Sequence, residues 1–242
     1  MGGKWYNTAE IWENWVAYFY GIHKFKNMLI DIVSDTICPW CYIGKRKLER
    51  ALALRPGLDV QMDWRPFQLN PTMPEAGMTR DEYVSAKFGG KDRARQVYDH
   101  IRQAGEELGL DFRFDLVTRT PSTLNSHRLL RWAGTAGVQD QVSEKLFEAF
   151  FMQGEDISES SVLVNIARDA GMDADLVADL LSGDSDKELI RKEDSNARAM
   201  GISGVPCFII DRKYAVSGAQ DVPVFHKVFD LAESEQVETE NA

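Results

Sequence analysis

The spacing of apolar and polar positions changes period several times along the chain, and each change marks an element. Leu29, Ile30, Ile32 and Val33 make a short apolar run that ends at Ser34 and Asp35, which predicts a buried strand. A helix is expected from Pro39 to about Leu54. Leu58, Val60, Met62 and Trp64 then alternate with Asp59, Gln61 and Asp63, the period of a strand with one buried face. Two strands joined by a helical crossover imply a parallel, right-handed unit. From residue 65 to about residue 200 the pattern is helical with almost no strand signal. Thr79 with Glu82 starts one helix in the manner of a capping box, and Ala94, Val97, Ile101, Ala104 and Leu108 give the next its apolar stripe. Further helices are predicted at about 122–136, 140–152, 159–170, 173–182 and 186–199, with breaks at Gly137, Gly154, Gly171 and Gly183. Strand signal returns at Cys207–Ile210 and Tyr214–Ser217, joined by the polar connection Asp211, Arg212, Lys213 as in a hairpin. A last helix from about Val222 to Leu231 leads into an acidic tail expected to fray.

The pattern thus predicts four parts: an N-terminal extension (1–27), the first part of an α/β domain (28–64), a helical insertion (65–200), and the second part of that domain with the tail (201–242). The extension is rich in Trp and Tyr. Asn7 with Glu10 resembles a helix start, and Trp12, Trp15 and Phe19 fall on one helical face, so it reads as an appendage ahead of the folded body.

Composition narrows the function. The net charge of −10 opposes nucleic-acid binding, which needs clustered Lys and Arg. No apolar run approaches the ~20 residues of a membrane span. Glu10, Glu13 and Asn14 interrupt any secretory signal, and 3 cysteines are too few for a disulfide scaffold, so a cytoplasmic protein is expected.

Two of those cysteines carry the chemistry. Cys38-Pro39-Trp40-Cys41 stands where the first strand hands over to the first helix. Pro39 suits the first helical position, which makes Cys38 the cap residue. Unpaired N–H groups and the positive helix end then face its sulfur and favour the thiolate, the form that attacks disulfides. Lys45, Arg46 and Lys47 add basic charge nearby. Cys41 lies nearly one turn on, in line with Gly44, Leu48 and Leu52, and should face inward. An exposed Cys38 would attack, and a sheltered Cys41 would resolve the mixed disulfide. A zinc half-site would need more ligands at close spacing, whereas His23, His100, His127 and His226 are scattered, so no metal is expected. Pro206, in Gly201-Ile202-Ser203-Gly204-Val205-Pro206, stands at the mouth of the returning strand, where a proline marks a turn or a cis bond.

Together these residues resemble the thioredoxin superfamily, and within it the DsbA-like branch with a helical insertion. The blocks Asp35–Gly44, Trp64-Arg65-Pro66-Phe67-Gln68-Leu69-Asn70-Pro71, Gly201–Pro206 and Ser217-Gly218-Ala219-Gln220 are similar in order to the FrnE-type oxidoreductases of that family. The resemblance implies a thioredoxin fold with a large helical insertion, Cys38 as nucleophile, Cys41 as resolving thiol and Pro206 as a cis-proline facing them. It further implies substrate contacts at Pro39, Trp40 and Val205, the last by pairing its backbone with an extended substrate strand. The substrates would be thiols or disulfides, peptide or small molecule. No resident cofactor is implied beyond the dithiol, with glutathione a candidate co-substrate. Oligomeric state is left open. His127, in Thr123–Leu129, matches a block on the insertion and is expected to hold the two parts together. Thioredoxin's buried Asp is replaced here by Ile32, while Asp35 is expected nearer the mouth. Cys207 stands where relatives are expected to carry an apolar residue and reads as a small buried hydrophobe. A second reading is a glutathione-dependent isomerase or transferase, like the hydroxychromene-carboxylate isomerases and kappa-class glutathione transferases, which do not need the second thiol. A third is a binding module in which the dithiol is incidental.

Overall fold

The computed structural model describes residues 27–240, with side chains through Gln236; the aromatic N-terminal segment lies outside the described residues. Strand β1 (Met28–Ser34) is central, with helix α1 (Pro39–Ala53) crossing over to the parallel strand β2 (Val60–Pro66). The insertion follows. After it, β5 (Cys207–Ile210) and β6 (Tyr214–Ser217) complete a four-stranded sheet in the order β2-β1-β5-β6, with β5 antiparallel to both neighbours. Helix α9 (Val222–Glu240) packs beside α1 on one face. Alternation in β1 sends Met28, Ile30 and Ile32 toward that face, into one core with Tyr42, Leu48, Phe208, Phe225 and Phe229. Between β2 and β5 lie α2 (Arg80–Phe88), α3 (Lys91–Glu106), α4 (Leu124–Thr135), α5 (Gln139–Glu148), α6 (Ser160–Asp169), α7 (Ala174–Ser182) and α8 (Lys187–Ala199). This is a thioredoxin fold carrying a helical insertion.

Several helices end as the sequence dictates. The Thr79 hydroxyl accepts the Glu82 N–H and the Glu82 carboxylate accepts the Thr79 N–H, a complete capping box on α2. Arg128 is fully buried, and its guanidinium donates to the carbonyls of Leu180, Gly183 and Ser185, joining α4 to the end of α7.

The structure corrects four expectations. β2 continues through Arg65 and Pro66, two residues past the boundary expected at 64. The insertion contains a two-residue antiparallel ladder, β3 (Met78–Thr79) with β4 (Arg119–Thr120), too short to leave a periodic signal. Helix α5 does not run on to 152 but widens into a π turn at Ala149–Gln153. The C-terminal helix extends to Glu240, well past Leu231. Its last described side chains are held: Arg55 pairs with Asp230 and Glu233, Lys213 donates to Glu235, and Gln236 donates to Asp211. Good helix formers plus these tethers outweigh the polarity that suggested fraying.

Aromatic and charged contacts help join the sheet domain to the insertion. Aromatic rings pack across the boundary, with Tyr42 of α1 stacked on Phe147 at 4.9 Å between centroids. Around them sits a charged cluster in which Tyr42 donates to Glu144 at 2.5 Å, Lys45 lies 3.0 Å from Glu144, and Arg46 also donates to it. Lys45 is buried, and it further reaches Glu49 and Asp140. Burial alone would raise the Glu144 carboxyl, but the Tyr42 hydrogen bond and the Lys45 and Arg46 charges outweigh it and hold the group below its ordinary range. A depressed carboxylate stabilises the fold above its unfolded pKa of 4.5, and that contribution is lost as pH falls through the folded value. We predict that Glu144→Gln costs about 1–3 kcal/mol at about pH 7 and much less at about pH 3, read from urea unfolding of both proteins. Loss of equal size at both pH values would refute the ionic account.

Gly44 lies where α1 crosses the β5 entrance. A Cβ there would stand 2.9 Å from Pro206 Cγ and 3.0 Å from Phe208 Cζ. Gly44→Val should therefore destabilise by about 1–3 kcal/mol through overpacking. A urea midpoint unchanged from wild type would show that α1 can shift freely.

Candidate active site

Cys38 caps α1 with an extended backbone, and Pro39 occupies the first turn; the Cys38 carbonyl accepts the Cys41 N–H at 3.0 Å. The preceding turn is closed by the Cys38 N–H donating to the Asp35 carbonyl at 3.0 Å. Opposite stands the Val205–Pro206 bond, which is cis. Cys38 Sγ lies 3.7 Å from the Val205 carbonyl oxygen, to which its thiol donates. The Pro206 carbonyl accepts the Gly218 N–H at 2.8 Å, and Gly218 has a φ of 81°, so the Ser217–Gln220 block braces the proline turn. Two blocks far apart in sequence thus meet at one sulfur, and a third braces the proline turn from behind.

Cys38 was expected to be exposed; it is only 4% exposed. Access is through a cavity of about 290 Å³ whose lining includes Cys38, Trp40, Tyr83, Tyr98, Phe150 and Val205. The sulfur is covered by the far wall that the insertion supplies, which strand periodicity could not reveal. Cys41 is buried behind it at 1%. Burial, together with the neighbouring Cys38 thiol, pushes the Cys41 thiol well above its ordinary value. The Ser34 hydroxyl and the Asp35 N–H act on it in the opposite direction.

Asp35 does not stand at the mouth. It is fully buried, its Oδ2 accepts the Leu69 N–H at 2.6 Å, and Oδ1 lies 3.6 Å from His127 Nε2. His127, on α4, is buried, and its Nε2 makes no hydrogen bond. Beside them the Thr36 and Ser126 hydroxyls share a hydrogen bond of 2.7 Å. The turn before Cys38 is therefore tied to the insertion through the block that contains His127. Thr36–Ser126 was missed in sequence because nothing in either strand or helix pattern pairs residues ninety positions apart.

The basic residues after the motif do not face the sulfur. Lys45 and Arg46 are committed to Glu144 and Glu49, and Lys47 donates to the Ala219 carbonyl and Asp221, because this acidic chain offers them closer carboxylates. Cys207 packs with Val33, Phe67 and Ala197 in a separate cluster, and burial pushes its thiol up. The wall residues Arg80, Tyr83, Lys87, Tyr98 and Thr120 were also missed; α2 and α3 read simply as helices, with no sign that they face a site.

The model of the DSBA-like thioredoxin domain matches residues 29–230. The chain belongs to the DsbA-like thioredoxin family. A solved member, a probable DsbA oxidoreductase from Streptomyces coelicolor, is 32% identical with a TM-score of 0.76, covering 86% of this chain and 91% of its own. The uncharacterised protein YwbO of Bacillus subtilis is 26% identical over 200 residues, 82% of this chain and 94% of that protein. More distant structures share the fold. A 2-hydroxychromene-2-carboxylate isomerase is 14% identical with a TM-score of 0.63, covering 88% of this chain and 99% of its own. The cytosolic disulfide reductase DsbM from Pseudomonas aeruginosa is 16% identical with a TM-score of 0.56, covering 88% and 97%.

Within this DsbA-like site the raised Cys41 thiol makes a direct prediction. In a Cys38→Ser, Cys207→Ser background, iodoacetamide should alkylate native Cys41 slowly at about pH 8, with the rate climbing only above about pH 9. Alkylation already at its plateau at about pH 8 would contradict the sheltered, protonated thiol.

Proposed function

We propose that this protein is a thiol–disulfide oxidoreductase in which the Cys38/Cys41 pair cycles between dithiol and disulfide. The observation that carries the proposal is the position of Cys38 at the start of α1, on the floor of a cavity and across from the cis Val205–Pro206 bond. In the oxidising direction for the pair, the Cys38 thiolate attacks one sulfur of a substrate disulfide. That S–S bond breaks as the mixed disulfide forms, and the leaving thiolate takes the electron pair. Cys41 then gives its proton to water and attacks Cys38 Sγ, closing the protein disulfide and releasing the second substrate thiolate. The reverse sequence oxidises a substrate dithiol. Val205 offers a backbone carbonyl for an extended substrate, and Pro39 and Trp40 flank the sulfur.

No resident cofactor or metal is needed for this cycle. Glutathione is the proposed co-substrate, a reading supported by the structure of DsbM with glutathione, 17% identical with a TM-score of 0.54. We place the protein in the cytoplasm on its low cysteine content; among the described residues no helix is long and apolar enough to cross a membrane. Asp35 and His127 position the turn before Cys38, and Cys207 serves as packing.

Equilibration in glutathione buffers tests the reading. A reversible Cys38–Cys41 disulfide should appear by mass spectrometry, with a potential within the span from about −270 mV for thioredoxin to about −120 mV for DsbA. Cys41→Ser should trap a mixed glutathione disulfide on Cys38, and Cys38→Ser should abolish both species. Saturable glutathione binding with no covalent adduct would replace this reading with glutathione-dependent isomerase chemistry.

A further inference from the structure

The cavity over Cys38 has a chemical character that disulfide exchange alone does not explain. Most of its lining is apolar or aromatic, including Ile37, Trp40, Leu69, Phe114, Phe150 and Phe151. In a chain of net charge −10, no carboxylate among the described residues lines it, and the charged residues in that lining are Arg80 and Lys87. Each cation meets a tyrosine, Arg80 over the ring face of Tyr98 and Lys87 at the hydroxyl edge of Tyr83. The Arg80 guanidinium is 4.6 Å from the Tyr98 centroid, and Lys87 Nζ is 5.1 Å from that of Tyr83 and donates to its hydroxyl at 2.6 Å. Neither makes an ion pair among the described residues, although most other cations near the site do. A third feature points the same way. Thr120 lines the cavity, is 1% exposed, and its buried hydroxyl has no hydrogen-bond partner. A buried hydroxyl left unpaired is costly, and a bound acceptor would satisfy it.

We propose that the cavity selects small disulfides and thiols with an apolar, ring-sized body and a carboxylate. Arg80, Lys87 and the Thr120 hydroxyl hold the carboxylate, the aromatic wall covers the body, and the sulfur lies against Cys38. Arg80, Lys87 and Thr120 are specificity-determining residues in this account. The inference rests on the oxidoreductase reading above and names its substrate class. In the step concerned, Cys38 displaces one aryl thiolate from the substrate disulfide, and Cys41, losing its proton to water, displaces the second from Cys38. The protein dithiol loses two electrons and the substrate disulfide gains them.

Two reagents separate charge selection from intrinsic reactivity: 5,5′-dithiobis(2-nitrobenzoate), an aromatic disulfide with carboxylates, and 4,4′-dithiodipyridine, which is neutral. Stopped-flow rates with the reduced full chain, in a Cys207→Ser background, are compared for wild type, Arg80→Gln, Lys87→Gln, Thr120→Val and Arg80→Lys. Arg80→Gln should slow the carboxylated reagent by about fivefold or more while leaving the neutral one within about twofold. Lys87→Gln and Thr120→Val should act in the same sense, and Arg80→Lys should keep most of the wild-type rate. Added salt should slow only the carboxylated reagent. Equal effects of Arg80→Gln on both reagents, or on neither, overturn the proposal. If the neutral reagent fails to produce a Cys38–Cys41 disulfide in the wild-type pair, the oxidoreductase reading itself fails and this inference falls with it; a disulfide formed without charge discrimination leaves that reading intact and removes only the inference.

Discussion

The site depends on how closely α1 approaches the turn that carries Pro206. Gly44, one turn past Cys41, is bare because the Pro206 ring and the Phe208 ring occupy the space a side chain would need. That contact sets the distance between the first turn of α1 and the entrance of β5, and so between Cys38 and the Val205 carbonyl. Pairing of β1 with β5 fixes the other coordinate, since Val33 stands opposite Cys207, the residue after Pro206. Helix packing and strand register therefore converge on one sulfur, and neither alone would place it.

The insertion contributes in a different way. Two of its anchors to the sheet domain are the stacked rings and charges around Tyr42 and Glu144, and the buried contacts of Asp35 and Thr36 with His127 and Ser126. Both anchors grip α1 or the turn leading into it. The part of the cavity wall carried by Phe150 and Phe151, just after α5, is thus referenced to the same short segment that bears the dithiol.

Much of this was legible in the residues. Periodicity located β1, α1, β5 and β6, because their apolar alternation and their Pro and Gly punctuation are local properties. The dithiol and Pro206 were readable for the same reason: a cap, a first-turn proline and a proline before a strand each carry their meaning within a few positions. What escaped was non-local. Asp35 was expected toward the mouth and lies buried, because its partners are the Leu69 N–H and His127, which only the folded chain brings near. Lys45 and Arg46 read as basic charge in the neighbourhood of the motif, and the fold commits them to Glu144. The short β3/β4 ladder and the π turn leave no period at all, and the length of α9 depends on Arg55, Asp211 and Lys213 reaching across to it.

The π turn has a consequence for how such a pocket can vary. Widening the helix at Ala149–Gln153 narrows the angle between successive side chains, and the adjacent Phe150 and Phe151, 4.9 Å apart in an edge-to-face pair, both reach the cavity lining. An unbroken α-helix advances about 100° per residue and a π turn somewhat less, so the two rings lie closer in phase here than they would in a regular helix. Helical phase, along with side-chain bulk, therefore shapes this part of the cavity. The local width of the helix thus decides which side chains form that stretch of wall, a variable separate from the size of the side chains themselves.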